Sequence, residues 1–353
     1  MRKIGLLVCF SGFTLTVWAQ IVNIPDVNFK NYLLNNLEIN TNNDNEIQVS
    51  EAAAYSGFMD VSYLNISDLT GIETFTGLPY LDCRFNLFTS LNVTANTALT
   101  NLICSDNQLA SLDINSNLSL IGLSCERNQL TNLNVSLNTA LRAISCGENL
   151  LSTLNVSNNT ALTYLACDYN QLTNLDVSVN TILESLVCSG NQLTDLNLTA
   201  NYWFATLYCH TNQLTILNVQ NGNNTNLDFH AANNPNLTCI QVDNAAWSTA
   251  NWTFANNNID AMASFSENCT IGIDDQTSNS SITLYPNPTT STLTIQNASG
   301  LYHLSDITGK TLLSGLASGE TAFALDISAI SSGIYFLTLS EVGQQVVSKV
   351  IKQ

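Results

Sequence analysis

Apolar and polar positions fall into a fixed rhythm over most of this chain. Between residues 61 and 240, Leu-x-x-Leu-x-Cys is followed three residues after the Cys by Asn, and the unit returns every 21 residues. The Cys column is Cys83, Cys104, Cys125, Cys146, Cys167, Cys188 and Cys209, with His230 at the next step. The Asn column is Asn86, Asn107, Asn128, Asn149, Asn170, Asn191, Asn212 and Asn233. A second half-unit echoes the first about ten residues on. It carries Asn96, Asn117, Asn138, Asn159, Asn180 and Asn201, then Gly222. Alternating inward residues predict a short strand in each half, with little helix between them. Stacked coils bury an apolar column that a single coil cannot. The Asn amides can bond backbone groups of their own and the adjacent coil.

The segment Leu-x-x-Leu-x-Cys-x-x-Asn-x-Leu is the leucine-rich-repeat pattern with Cys at a usual Leu position. The period and the nested half-repeats resemble the 21-residue class of bacterial leucine-rich repeats. The fold expected is mainly β: a leucine-rich-repeat solenoid of parallel strands, with two short extended segments per coil. It begins with a small helical cap and is followed by a small antiparallel β-sandwich.

The Cys column reads as packing. Strands about 4.8 Å apart are too widely spaced for a good disulfide between neighbours in one column. A single column also offers no tetrahedral metal geometry. Cys then acts as a small buried hydrophobe. Beyond the leader the chain has nine cysteines. With seven in the column, Cys239 and Cys269 remain as the expected disulfide of an exported protein.

Residues 20–60 read as the N-terminal cap. Pro25 and Asp26 start a helix, with Pro25 expected at the first helical position, running through Phe29, Tyr32 and Leu33. Residues 40–51 resemble an EF-hand-type calcium loop. Asn40, Asn42 and Asp44 stand at positions one, three and five, Glu46 at seven and Glu51 at the closing position. Asn40 replaces the usual first Asp and Asn45 the usual Gly, so calcium is the one cofactor to test. After the solenoid (61–240), residues 241–269 with Trp247, Trp252 and Phe254 form an expected C-terminal cap over the last edge.

The pattern changes again after a linker at 270–281. Leu284-Tyr285-Pro286-Asn287-Pro288 leads into short alternating strands at 293–295, 302–305, 311–313, 322–327, 334–339 and 346–351. The Tyr-Pro-Asn-Pro start, the Thr308-Gly309-Lys310 turn, the Gly333-Ile334-Tyr335 strand and the final strand running into Lys352 resemble the type A C-terminal sorting domain of Bacteroidetes type IX secretion substrates. That resemblance spans 282–353. It implies the type IX machinery as a partner, export through the outer membrane, and then removal of the domain, with the rest anchored or released.

Composition agrees with an exported repeat protein. Only 10% of the 353 residues are charged while 45% are hydrophobic. The net charge of −18 excludes an electropositive nucleic-acid surface. Arg2 and Lys3, the apolar run 4–17 and Val17-Trp18-Ala19 read as a signal peptide, 1–19, cleaved near Ala19. No later stretch is apolar enough for a transmembrane segment. The expected location is the medium or the outer cell surface.

Three histidines, no glycine-rich phosphate loop and no clustered metal spacing give no catalytic site. The variable residues beside the Cys column are the candidates for recognition. They are Tyr80, Arg84, Phe85, Glu126, Arg127, Glu148, Tyr164, Asp168, Tyr169, Tyr208 and His210. Exposed aromatics in rows suit protein hot spots or sugar stacking. The expectation is a non-enzymatic surface recognition protein for a protein or glycan, adhesin-like. The alternatives are a structural spacer without a ligand and, more remotely, a surface enzyme or an ice-binding protein.

Overall fold

The computed structural model describes residues 20–269, 283–296, 299–318, 322–341 and 344–353. The signal-peptide and linker readings lie outside these residues. Two compact units divide after Cys269.

The first unit is the solenoid. Its main sheet has nine parallel strands, each of three residues, from Phe58–Asp60 to Asp228–His230. Each strand buries its middle residue: Met59, Leu81, Leu102, Leu123, Ile144, Leu165, Leu186, Leu207 and Phe229. The register steps by 21 residues from Tyr80 through Thr206. The Cys column is wholly buried and its seven thiols are free. Burial pushes these thiols far from ionisation, and that of Cys209 up to about 12.

The two Asn columns do different work. Asn128 donates to the carbonyls of Cys104, Cys125 and Glu126, and its Oδ1 accepts from the Leu109 amide. The same set recurs at Asn107, Asn149, Asn170, Asn191 and Asn212. In the second column Asn138 donates to Ile114 and Asn117 carbonyls, but its Oδ1 has no partner. A third column, Asn92, Asp113, Asn134, Asn155, Asp176, Asn197 and Asn218, faces solvent. Each accepts from the amide two residues on, closing an Asx turn. Local turn chemistry selects Asn or Asp there.

The second half-repeat forms a paired sheet only toward the C-terminal end. Its four strands are Asp195–Asn197, Ile216–Asn218, Cys239–Gln241 and Ser264–Ser266. In the earlier coils the segment shows only an isolated bridge, Asn92 to Asp113.

The last step of the main sheet is 22 residues. Tyr208 pairs with His230 rather than with a residue one position earlier. This corrects two assignments. Ala231, 1% exposed, continues the Cys column, and His230 turns outward beside Tyr208. Asn234, not Asn233, continues the Asn column. It donates to Cys209 and Ala231 carbonyls and accepts from Leu214. One added residue in the turn around Gly222–Asn226, which folds as a short 3-10 helix at Asn224–Asn226, produces the shift.

Both ends are closed. At the start, Asp26 caps the helix Val27–Asn35, accepting from Asn28 and Phe29 amides, so Pro25 lies one residue before the cap and not at the first helical position. Its other oxygen accepts from the Ser67 amide and hydroxyl, fastening the cap to the first coil. At the far end, Trp252 stacks on Phe229 with ring centres 4.3 Å apart. Cys239 and Cys269 form a disulfide across this segment.

The second unit is a β-sandwich of antiparallel sheets with three and four strands. Leu293, Ile295 and Leu325 from one sheet share a core with Leu304, Leu337, Leu339 and Val350 from the other. Asn287 clamps the last strand, donating to the Lys349 carbonyl and accepting from the Ile351 amide. Asp306 closes the Thr308–Lys310 turn with three accepted bonds.

Candidate binding face

The exposed residues beside the main sheet owe their position to one backbone feature. The residue before each ladder Asn has positive φ: Phe85, Asp106, Arg127, Glu148, Tyr169, Gly190, Thr211 and, at the shifted step, Asn233. The chain must turn out of the strand there. Glycine or asparagine adopts that conformation at least cost, whereas a β-branched or bulky residue is strained. Phe, Arg, Glu, Tyr and Thr nevertheless occupy it, and their side chains stack along the solenoid into a rail.

The rail divides into three stretches. At the N-terminal end, Tyr63 stacks on Phe85 and Phe58 packs at a tilt against Tyr80, each pair with ring centres 4.3 Å apart. Asp82 beside them is buried, which raises its pKa, and the Arg84 guanidinium lies 3.3 Å away. In the middle, Arg127 bridges Asp106 and Glu148, one coil on either side. Asp168 lies against Gly147, where a Cβ would meet its Oδ1 at 2.6 Å. Burial raises its pKa too, with Glu126 and Glu148 adding repulsion. Tyr164 stands in the sheet between Ala143 and Ser185.

At the C-terminal end the structure brings Tyr169, Tyr208 and His210 together. They line an open cleft of about 490 Å³ with Thr211, His230, Asn233 and Asn257. The Tyr169 ring covers Gly190, where a Cβ would lie 2.5 Å from the ring. Tyr208 donates to Asp228, which raises the phenol pKa. Burial, and then the nearby His230, lower the pKa of His210. Sequence reasoning missed His230, Thr211, Asn233 and Asn257 here. The 22-residue last step hid His230 and Asn233, Thr211 lies in the regular register next to His210, and Asn257 belongs to the irregular cap.

The calcium-like loop closes on itself. Glu51 Oε1 accepts from the Thr41 amide and hydroxyl and the Asn42 amide, and Oε2 accepts from the Gln48 amide. Glu51 is thus the third residue of a capping box on the helix Val49–Ala54. Burial opposes ionisation, yet the Gln48, Thr41 and Asn42 bonds together hold its pKa below the usual value. Asp44 receives the Glu46 amide and the side chains of Asn42 and Gln48. Glu46 pairs with Lys30. Asn40 is buried and donates to Leu34 and Asp44 carbonyls, and its Oδ1 has no partner. Among the described residues no three His, Cys, Asp or Glu converge as a metal cluster.

Comparison with known proteins bears on the two units separately. Residues 283–353 match the family model of the secretion system C-terminal sorting domain. No curated protein matches the chain. Among solved structures, the functional domain of InlJ from Listeria monocytogenes, described as including a cysteine ladder, is 25% identical, with a TM-score of 0.28. The match covers 56% of this chain and spans 60% of that domain. Internalin C2 from Listeria monocytogenes is 18% identical over 64% of this chain and 98% of its own, with a TM-score of 0.49. A leucine-rich-repeat protein from Leptospira interrogans is 18% identical over 56% of this chain and 62% of its own, with a TM-score of 0.38. The sorting domain implies export to the cell surface or medium. Among the described residues no helix is long and apolar enough to cross a membrane. The chain therefore combines a leucine-rich-repeat β-solenoid with a type IX secretion C-terminal sorting domain at its C-terminus.

Proposed function

We propose that the protein is a surface-displayed or released recognition module that binds through the rail beside its main sheet, and that it is not an enzyme. The type IX machinery reads residues 283–353, and the solenoid is the cargo. One observation supports recognition over a bare spacer. At the turn where Asn or Gly costs least, alternate coils carry Phe85, Arg127, Tyr169 and Thr211 at positive φ. A scaffold alone gains nothing from that strain, whereas a binding surface gains fixed, exposed side chains.

The test is adhesion of beads coated with the folded chain to a panel of immobilised proteins and polysaccharides. Replacing Tyr164, Tyr169 and Tyr208 together with Ala should abolish the strongest adhesion while the unfolding midpoint stays within about 3 °C. Equal adhesion of the two proteins would leave the spacer reading standing.

A calcium ion in the 40–51 loop is a separate proposal. The buried, unpartnered Asn40 Oδ1 favours it, and the hydrogen-bonded state of Glu51 works against it. Asn40, Asn42, Asp44, Glu46 and Glu51 are the residues that would hold the ion. Calorimetry of the full chain with calcium should give a one-site heat; no heat at millimolar calcium ends the proposal.

A further inference from the structure

We propose that the cleft between Tyr169 and Asn257 is a binding site for a neutral saccharide, with the Tyr169 ring as its stacking platform. The inference rests on the recognition reading above and names its ligand class.

The platform is the first argument. Tyr169 is 54% exposed, yet its ring is not free. One face covers the backbone of Gly190 so closely that a Cβ there would lie 2.5 to 3.0 Å from three ring carbons. Just over half of the residue stays open to a partner. A tyrosine ring fixed in this way presents a flat, electron-rich surface at small entropic cost, which suits the C–H face of a pyranose. Gly190 is the only glycine in the rail, and it falls where the ring must lie flat.

The rim is the second argument. Beyond the ring stand His210, Thr211, His230, Asn233 and Asn257. All are short, polar and able both to donate and to accept, as adjacent sugar hydroxyls require. His210 is held toward its neutral form by burial and by His230, and its Nε2 is the ring nitrogen left to meet a sugar hydroxyl. His210 Nδ1 lies 3.0 Å from the Thr211 hydroxyl, which fixes both side chains. Tyr208 is anchored by its bond to Asp228. From Tyr169 to Asn233 is three coils, about 14 Å at the spacing of parallel strands. The volume, about 490 Å³, falls in the usual range of small-ligand sites.

Charge decides the kind of sugar. No Lys or Arg lines the cleft, Asp228 stands at its edge, and the chain carries −18. Sulfated or uronic-acid chains would be repelled. A peptide would need an apolar pocket for an anchoring side chain, and this rim is polar.

Backbone geometry adds a third observation. The positive φ that recurs at this turn in every coil carries Tyr169 and Thr211 out over the cleft, and Thr211 is β-branched, for which that region is a marked outlier.

The experiment is a screen of the full chain against an array of neutral oligosaccharides, followed by calorimetry and chemical-shift mapping with the best one. Shifts should concentrate at Tyr169, Gly190, His210, Thr211 and Asn257. Tyr169→Ala should weaken binding about fivefold to tenfold, the worth of one lost stacking partner. Gly190→Ala should weaken it as well, because the Cβ lifts the ring. Other coils place Asp106, Arg127 and Glu148 at the same φ, so this variant folds. Tyr169→Phe should bind within about threefold of the original. Leu118→Ala, an exposed residue of the second half-repeat outside the rail, should bind equally well. No binding to any neutral oligosaccharide overturns the inference, as does binding indifferent to Tyr169→Ala. If coated beads still adhere to a protein surface in a manner that needs Tyr169, the saccharide is wrong and recognition by the rail stands.

Discussion

The side-chain amide of Asn128 lies 3.0 Å from the carbonyl oxygen of Cys104, one coil earlier. That bond joins neighbouring coils inside the core. Its Oδ1 meanwhile accepts from the Leu109 amide, also in the preceding coil. Asn128 thus satisfies several buried backbone groups at once. Asn138, in the second column, makes two donor bonds and its oxygen accepts none. Asn128→Ala should therefore cost about 3 kcal/mol and Asn138→Ala about 2 kcal/mol, the penalties of leaving buried groups unpaired. Urea titration of the two variants checks the order. Equal losses would remove the distinction between the columns.

The Cys column predicts a different response. Cys146 is wholly buried and its thiol is held far from ionisation. Cys146→Ala should cost about 1 kcal/mol for lost packing, and Cys146→Ser more, because it buries a hydroxyl among apolar neighbours. Labelling of the native protein with a maleimide should be slower than labelling of the urea-unfolded chain by orders of magnitude. Comparable rates would place the thiols at the surface.

Acid should loosen the N-terminal cap through Glu51. Its folded pKa lies below the ordinary value of 4.5, since its hydrogen bonds outweigh burial. A carboxylate lowered on folding contributes stability that is complete above the unfolded pKa and is lost as pH falls through the folded one. Glu51→Gln should cost about 1 kcal/mol at neutral pH, the worth of a helix cap. It should also narrow the drop in unfolding midpoint between pH 6 and pH 3. A variant as acid-sensitive as the original would contradict the capping role.

Reduction tests the far end. The Cys239–Cys269 bridge closes a separation of 30 residues around Trp252. On the chain-entropy model it is worth about 3–4 kcal/mol. Dithiothreitol should lower the unfolding midpoint of the original chain and leave a Cys239→Ala/Cys269→Ala variant unchanged. A midpoint indifferent to reductant would mean that the Trp252–Phe229 packing closes the solenoid without the bridge.

Much of the scaffold is legible in the sequence because a repeat writes each contact many times. Cys83 to Cys209 mark a column, and Leu102 and its counterparts mark the buried face. The legibility fails where the count changes. His230 keeps the 21-residue interval but not the register, because the added residue near Gly222 moves Ala231 and Asn234 into the columns. The candidate site is less legible. Tyr169, Tyr208 and His210 stand out as variable residues, but the far wall of their cleft, His230, Asn233 and Asn257, comes from the shifted step and the cap. In the 40–51 loop the residue types fit two uses. Hydrogen bonds to Glu51, which no spacing encodes, form the capping box.

The central claim is that scaffold and recognition occupy different residues of each coil. The direct measurement pairs unfolding midpoint with bead adhesion in two variants, Cys146→Ala and the double replacement of Tyr169 and Tyr208 by Ala. The account predicts a crossed result: the first loses stability and keeps adhesion, and the second keeps stability and loses adhesion. Two variants that lose both properties together, or a tyrosine variant that adheres as strongly as the original, would contradict it.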